Sequence, residues 1–225
     1  VLTRDQNLTF NEDKLGGRGA LFWGSSSSSY LTLSNCVFED NIYEKASDLT
    51  TNDYPGYGSG AFVANFKRLY MDDCLFKGNG YPVTKTTVKA RHGKASAMYL
   101  YKAPITAVNT RFIGNSFVLG YEASSGCVEL STSCGGSVFK NCSWVGNKGS
   151  LTDAYSAKTL AQAAILVALG SVEEAVDFEN CTIAYNLMGA RTGAAGLIVS
   201  SGIANVKDSI IYGNVIFRDN KYAAD

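Results

Sequence analysis

The chain is written in short apolar runs of period two. In Tyr-Leu-Thr-Leu-Ser at 30–34, Leu31 and Leu33 share a face, and beyond the turn at Asn35 the pair Cys36 and Phe38 shares one with Val37 opposite. Side chains alternate faces along a strand, so this pattern predicts strands with one buried side. Comparable short strands are expected at 68–72, 105–108 and 203–207. The most apolar run, Leu-Ala-Gln-Ala-Ala-Ile-Leu-Val-Ala-Leu-Gly at 160–170, falls well short of the ~20 residues a membrane helix needs. It reads as a buried strand with its approach.

The alternation sits inside a repeat. The pattern Asn/Asp-x-x-aromatic/Ile-x-x-Asn/Asp occurs at 7–13, 35–41, 73–79, 109–115, 141–147, 180–186 and 208–214, with a partial copy at 214–220. Start-to-start spacings are 28, 38, 36, 32, 39 and 28 residues. Upstream of six copies a pair of small residues opens an apolar stretch, at 19–24, 60–65, 96–101, 126–131, 163–168 and 196–201. Each repeat therefore predicts three short strands and a loop. The expected inward columns are Cys36, Cys74, Thr110, Cys142, Cys181 and Ser209 beside Phe38, Phe76, Phe112, Trp144, Ile183 and Ile211, led by Leu8 and Phe10. Arg111, in the intervening set, supports the outward assignment of that position.

Three-strand coils that stack on their own copies make a parallel β-helix. The reading is all-β: a single domain over 1–225, a right-handed parallel β-helix (solenoid) of about seven three-strand coils, with loops protruding along one edge. Right-handedness follows from the crossover rule for parallel strands. The turn position carries Asn7, Asn35, Asp73, Asn109, Asn141, Asn180 and Asp208, read as a structural ladder, because Asn tolerates left-handed backbone and hydrogen-bonds its own turn and its neighbour. The final Asn of each copy, Asn41 in the second, is read as opening an exposed loop. A propeller needs antiparallel blades of steadier period. A leucine-rich repeat needs a Leu consensus absent from this chain.

The motif resembles one known pattern. Phe38–Asn41, Phe76–Asn79, Phe112–Asn115 and Phe217–Asn220 have the FxxN form, and Trp144, Ile183 and Ile211 open related forms. The stretches at 16–22 and 58–63 loosely match a GGA(I/L/V) companion. Both motifs resemble the passenger of chlamydial polymorphic outer-membrane proteins. The resemblance implies an extracellular or cell-surface β-helix acting in adhesion, and it supplies no catalytic residues.

Composition narrows the function classes. Charged residues are 18%, with 20 basic against 20 acidic and no net charge. Such a surface offers nothing for a polyanion, so nucleic acid is not expected as a partner. Gly numbers 23 against three Pro, a balance suited to short strands and tight turns. No targeting segment is visible at the start, and no motif points to a cofactor.

Cys36, Cys74, Cys142 and Cys181 share one inward column, so neighbouring coils bring Cys36 near Cys74 and Cys142 near Cys181. Strand spacing of ~4.8 Å lies within the Cα range of a disulfide. Two inter-coil bridges and a column of buried free thiols are both open readings. No metal site is expected, since His92 is the one histidine and no acidic cluster accompanies the cysteines.

An enzyme reading needs paired groups. Asp72–Asp73 and Glu173–Glu174 are adjacent pairs without other hydrolase features. A polysaccharide lyase would need a basic residue at the acidic carbon, and Lys89, Arg91, His92 and Lys94 share one stretch. Solvated basic residues are the simpler account of that stretch.

The segments that vary in length, 42–58, 80–95, 116–125, 148–162 and 187–195, all follow the final Asn of a copy and carry Tyr43, Tyr54, Tyr57, Tyr81, Tyr121 and Tyr155. Insertions on one face of a repeat protein often mark its binding face, and tyrosines suit glycan or protein contact. Sequons at Asn7, Asn141 and Asn180 fall on turn positions and are expected to be buried and unmodified. The expected role is an extracellular, non-catalytic adhesive or structural surface module binding glycan or a surface protein. End-to-end self-association or neighbouring repeats are further expected partners, as part of a longer chain or assembly. The alternative is a carbohydrate-active enzyme, lyase-like before glycoside hydrolase.

Overall fold

A computed structural model of the chain describes residues 20–24, 28–42, 60–80, 95–117, 125–149, 162–189, 194–218 and 221–224. The copy at 7–13, with Asn7, Leu8 and Phe10, lies outside them. The described residues contain strands, turns and no helix.

Strands assemble into four sheets. The first runs through Ala20–Trp23, Ala61–Ala64, Met98–Tyr101, Ser125–Leu130, Gln162–Ala168 and Leu197–Ser201, stacked in chain order. The second stacks Tyr30–Ser34, Arg68–Asp72, Ile105–Val108, Ser137–Lys140, Ala175–Glu179 and Ile203–Lys207. The third stacks Val37–Glu39, Leu75–Lys77, Arg111–Ile113, Ser143–Val145, Thr182–Ala184 and Ile210–Tyr212. All three pair strictly in parallel. The chain is a parallel β-helix, and its described residues make six coils.

The coil has one more side than the repeat predicts. After the motif comes a short fourth strand, at Ser116–Phe117, Lys148–Gly149, Leu187–Gly189 and Val215–Arg218. In the first two coils the same position is a single bridge, from Ile42 to Gly80 and from Gly80 to Ser116. The last strand, Lys221–Ala224, closes this sheet antiparallel to Val215–Arg218. Strands of two to four residues are too short to show a hydrophobic period, so alternation does not reveal this side.

Alternation sorts the rest. Leu33, Met71, Ala107, Phe139 and Phe178 form one buried column of the second sheet, and Val63, Leu100, Leu130 and Val167 one of the first. The 160–170 run supplies Gln162–Ala168, whose described residues are buried apart from partly buried Ala168. The first sheet is buried on its outer side too, where Phe62, Tyr99, Glu129 and Leu166 stack in register. Arg68, on the outside of the second coil, donates to Thr106 Oγ1 at 3.1 Å and to the Gly136 carbonyl at 3.0 Å, bracing three coils together.

Candidate binding surface

The first, fourth, sixth and seventh positions of the heptad have distinct physical roles. Its first residue, at Asn35, Asp73, Asn109, Asn141, Asn180 and Asp208, has φ between 47° and 53°, the left-handed turn that leads into the third sheet. Asn and Asp tolerate that conformation better than other residues with a side chain. The fourth residue fills the core: Phe38, Phe76, Phe112 and Trp144 stack at 4.4, 5.1 and 5.1 Å, nearly parallel. Such pairs stabilise by roughly 0.5–1.5 kcal/mol beyond area burial. The sixth residue makes a second left-handed turn, at Asp40, Gly78, Gly114, Gly146, Tyr185 and Gly213.

The seventh residue corrects the sequence reading. Asn41, Asn79, Asn115, Asn147, Asn186 and Asn214 do not open an exposed loop; all six are buried. Each of the first five donates from Nδ2 to Oδ1 of the next, at 2.7, 2.9, 3.0, 2.9 and 2.8 Å. Its backbone N–H donates to the same oxygen, at 3.0–3.2 Å. From Asn79 onward Nδ2 also donates to the carbonyl of the fourth residue one coil back, at 2.9–3.1 Å. FxxN is therefore one device: the aromatic packs the core while its own carbonyl accepts from the ladder. The buried, hydrogen-bonded ladder runs through the last Asn of the motif. At the first position the side-chain bonds are weaker, Asn141 Nδ2 to Asn109 Oδ1 and Asn109 Nδ2 to Asp72 Oδ1, both 3.4 Å. The turn side chains are exposed, so the expectation that Asn141 and Asn180 are buried is overturned. That exposure removes the steric objection to modifying those two sequons.

Below the turns lies the thiol column. Cys74, Cys142 and Cys181 are buried, Cys36 is partly buried, and all six cysteines are free. Burial pushes Cys127 and Cys134 up to about 12. Cys142 is held above the usual thiol range by its hydrogen bond with Cys181 and by burial.

Tyr43, Tyr54, Tyr57, Tyr81, Tyr121 and Tyr155, and Lys89, Arg91, His92 and Lys94, all lie outside the described residues. The described strands show where those segments attach. The described residues break off after 42, 80, 117, 149 and 189 and resume at 60, 95, 125, 162 and 194. The departure points stack on one another, as do the strands that follow each return. One corner, between the fourth and first sheets, takes all five. Asp72 and Asp73 sit exposed at the strand end and its turn, and Glu173 is exposed at the corner between the first and second sheets. Among the described residues no three His, Cys, Asp or Glu side chains are grouped to hold a metal. Among them, too, no helix is long and apolar enough to cross a membrane.

The structure adds exposed aromatics that the repeat concealed. Tyr30 and Tyr70 stack at 6.2 Å on the outer face of the second sheet, 53% and 41% exposed, with Lys67 Nζ 5.2 Å from the Tyr30 ring centre. Tyr185 and Tyr212 meet edge to face at 5.7 Å, both more than 60% exposed. Trp23 is exposed and stacks on Phe62. The signal was present: Tyr30 and Tyr70 alternate with inward Leu31, Leu69 and Met71. Compared with known protein families, curated proteins and solved structures, the chain matches none.

Proposed function

We propose that the protein is an extracellular, non-catalytic adhesive or structural module that binds glycan or a surface protein along one edge of the solenoid. The carrying observation is the shared corner at which five segments of unlike length and sequence join the stack. A solenoid holds its core columns constant and tolerates variation where the chain departs from them, which is where binding residues accumulate. Six tyrosines in those segments supply flat amphipathic rings. The FxxN resemblance to chlamydial polymorphic outer-membrane passengers supports the cell-surface location.

The test is a glycan and protein array probed with the 225-residue chain and with a variant in which Tyr43, Tyr54, Tyr57, Tyr81, Tyr121 and Tyr155 are serine. Binding by the first and its loss in the second, with unchanged circular dichroism, is the expected result. The same preparation, incubated with uronic-acid polysaccharides, should release no unsaturated product. Product release, or binding indifferent to the six substitutions, overturns the reading.

A further inference from the structure

We propose that Cys36 and Cys74 are a redox pair that closes into a disulfide linking the first described coil to the second. The pair is singled out by position. The Leu75 N–H donates to the Cys36 carbonyl at 2.9 Å, and Val37 pairs in register with Leu75, so Cys36 lies directly against Cys74. Parallel strands stand ~4.8 Å apart, inside the Cα range that a disulfide spans. Both residues lie between a left-handed turn and the strand that follows it. The Cys74 thiol reaches the Leu33 carbonyl of the first described coil at 3.5 Å as well as the Asp72 carbonyl of its own turn at 3.4 Å.

The two cysteines differ in access. Cys36 is partly buried and Cys74 is closed to solvent. A partly exposed cysteine next to a sheltered partner is the arrangement of an attacking and a resolving cysteine. Cys142 and Cys181 are stacked in the same way, but both are buried, and Thr110 separates them from Cys74. The first pair thus has both an entrance and a neighbour.

The oxidant is a low-molecular-weight disulfide. Cys36 loses its proton to solvent, and its thiolate attacks one sulfur of the reagent, breaking the reagent S–S bond and releasing one thiolate. Cys74 then loses its proton and attacks the Cys36 sulfur, displacing the second thiolate. Two protein thiols become one protein disulfide, and one reagent disulfide becomes two thiols. The inference stands apart from the binding role.

Oxidised glutathione is the probe, with intact mass and a peptide map as readouts on the reduced 225-residue protein. The expected wild-type product has lost two hydrogen atoms and carries a peptide crosslink between Cys36 and Cys74. Cys74→Ser should stop at one glutathionyl group on Cys36, Cys36→Ser should stay unmodified, and Cys142→Ser should behave as wild type. Wild type that stays reduced, keeps glutathione on Cys36, or crosslinks Cys142 to Cys181 overturns the proposal. The wild-type result decides the matter even where a variant fails to fold.

Discussion

At the scale of single residues, the ladder amides are the least replaceable groups. Asn147 Nδ2 serves the Phe112 carbonyl and Asn186 Oδ1, and its Oδ1 accepts from Asn115. Asn147→Asp keeps the shape but removes both donors and buries a carboxylate. A buried acceptor left unpaired costs about 1–3 kcal/mol, so urea unfolding at neutral pH should show a loss of about 3 kcal/mol or more. Burial raises the introduced carboxyl's folded pKa, so the deficit should be smallest at acid pH and grow as pH rises past the unfolded value. The sealed thiols give a second pH signature. Cys127 and Cys134 are raised to about 12 when folded, against an ordinary thiol value of 9.0. A raised folded pKa leaves their contribution intact below the unfolded pKa and removes it as pH climbs from there toward 12. Each should therefore cost about 1.4 kcal/mol per pH unit above ~9. Paired melts should show that Cys127→Ala with Cys134→Ala flattens this alkaline decline relative to wild type.

At the scale of the element, the second turn shows how neighbouring coils constrain one another. A side chain there leans over the next coil: a Cβ on Gly213 would meet two ring carbons of Tyr185 at 2.9 Å, whereas a Cβ on Gly114 would meet nothing within 4 Å. Both glycines are left-handed, at φ 62° and 60°. Gly114→Ala should lose only the cost of that conformation, roughly 1–2 kcal/mol. Gly213→Ala should lose more, and Tyr185→Gly in the same chain should restore part of the excess. A double-mutant cycle measures that coupling; complete additivity would refute the contact.

At the scale of the molecule, the solenoid makes position in the stack matter as much as residue type. Phe112 is fully buried between Phe76 and Trp144, while Ile211, in the same column of the last described coil, is 50% exposed. Val199 and Val206, on the other two long sheets of the same coil, are exposed as well. Phe112→Ala should cost about 3–5 kcal/mol by opening a cavity that neighbouring coils cannot fill. Ile211→Ala removes apolar surface already half in water, so it should cost no more than about 1 kcal/mol. Denaturant midpoints of the two variants test the contrast.

Local sequence determined the fold class, three of the four strands of the coil and the core columns, because a parallel coil imposes period two along the strand and repeats each position in every coil. Phe38, Cys74 and Trp144 reveal their facing without reference to any other part of the chain. The two Asn columns look alike in one dimension, yet one is an exposed left-handed turn and the other a buried hydrogen-bonded ladder. Only stacking separates them, because the partners of Asn115 are Asn79, Asn147 and the Phe76 carbonyl, all in neighbouring coils. The short fourth strand, the clasp of Arg68 across three coils and the common corner of five unlike segments are likewise products of tertiary structure. They depend on how coils register against one another, which alternation within a single strand does not encode.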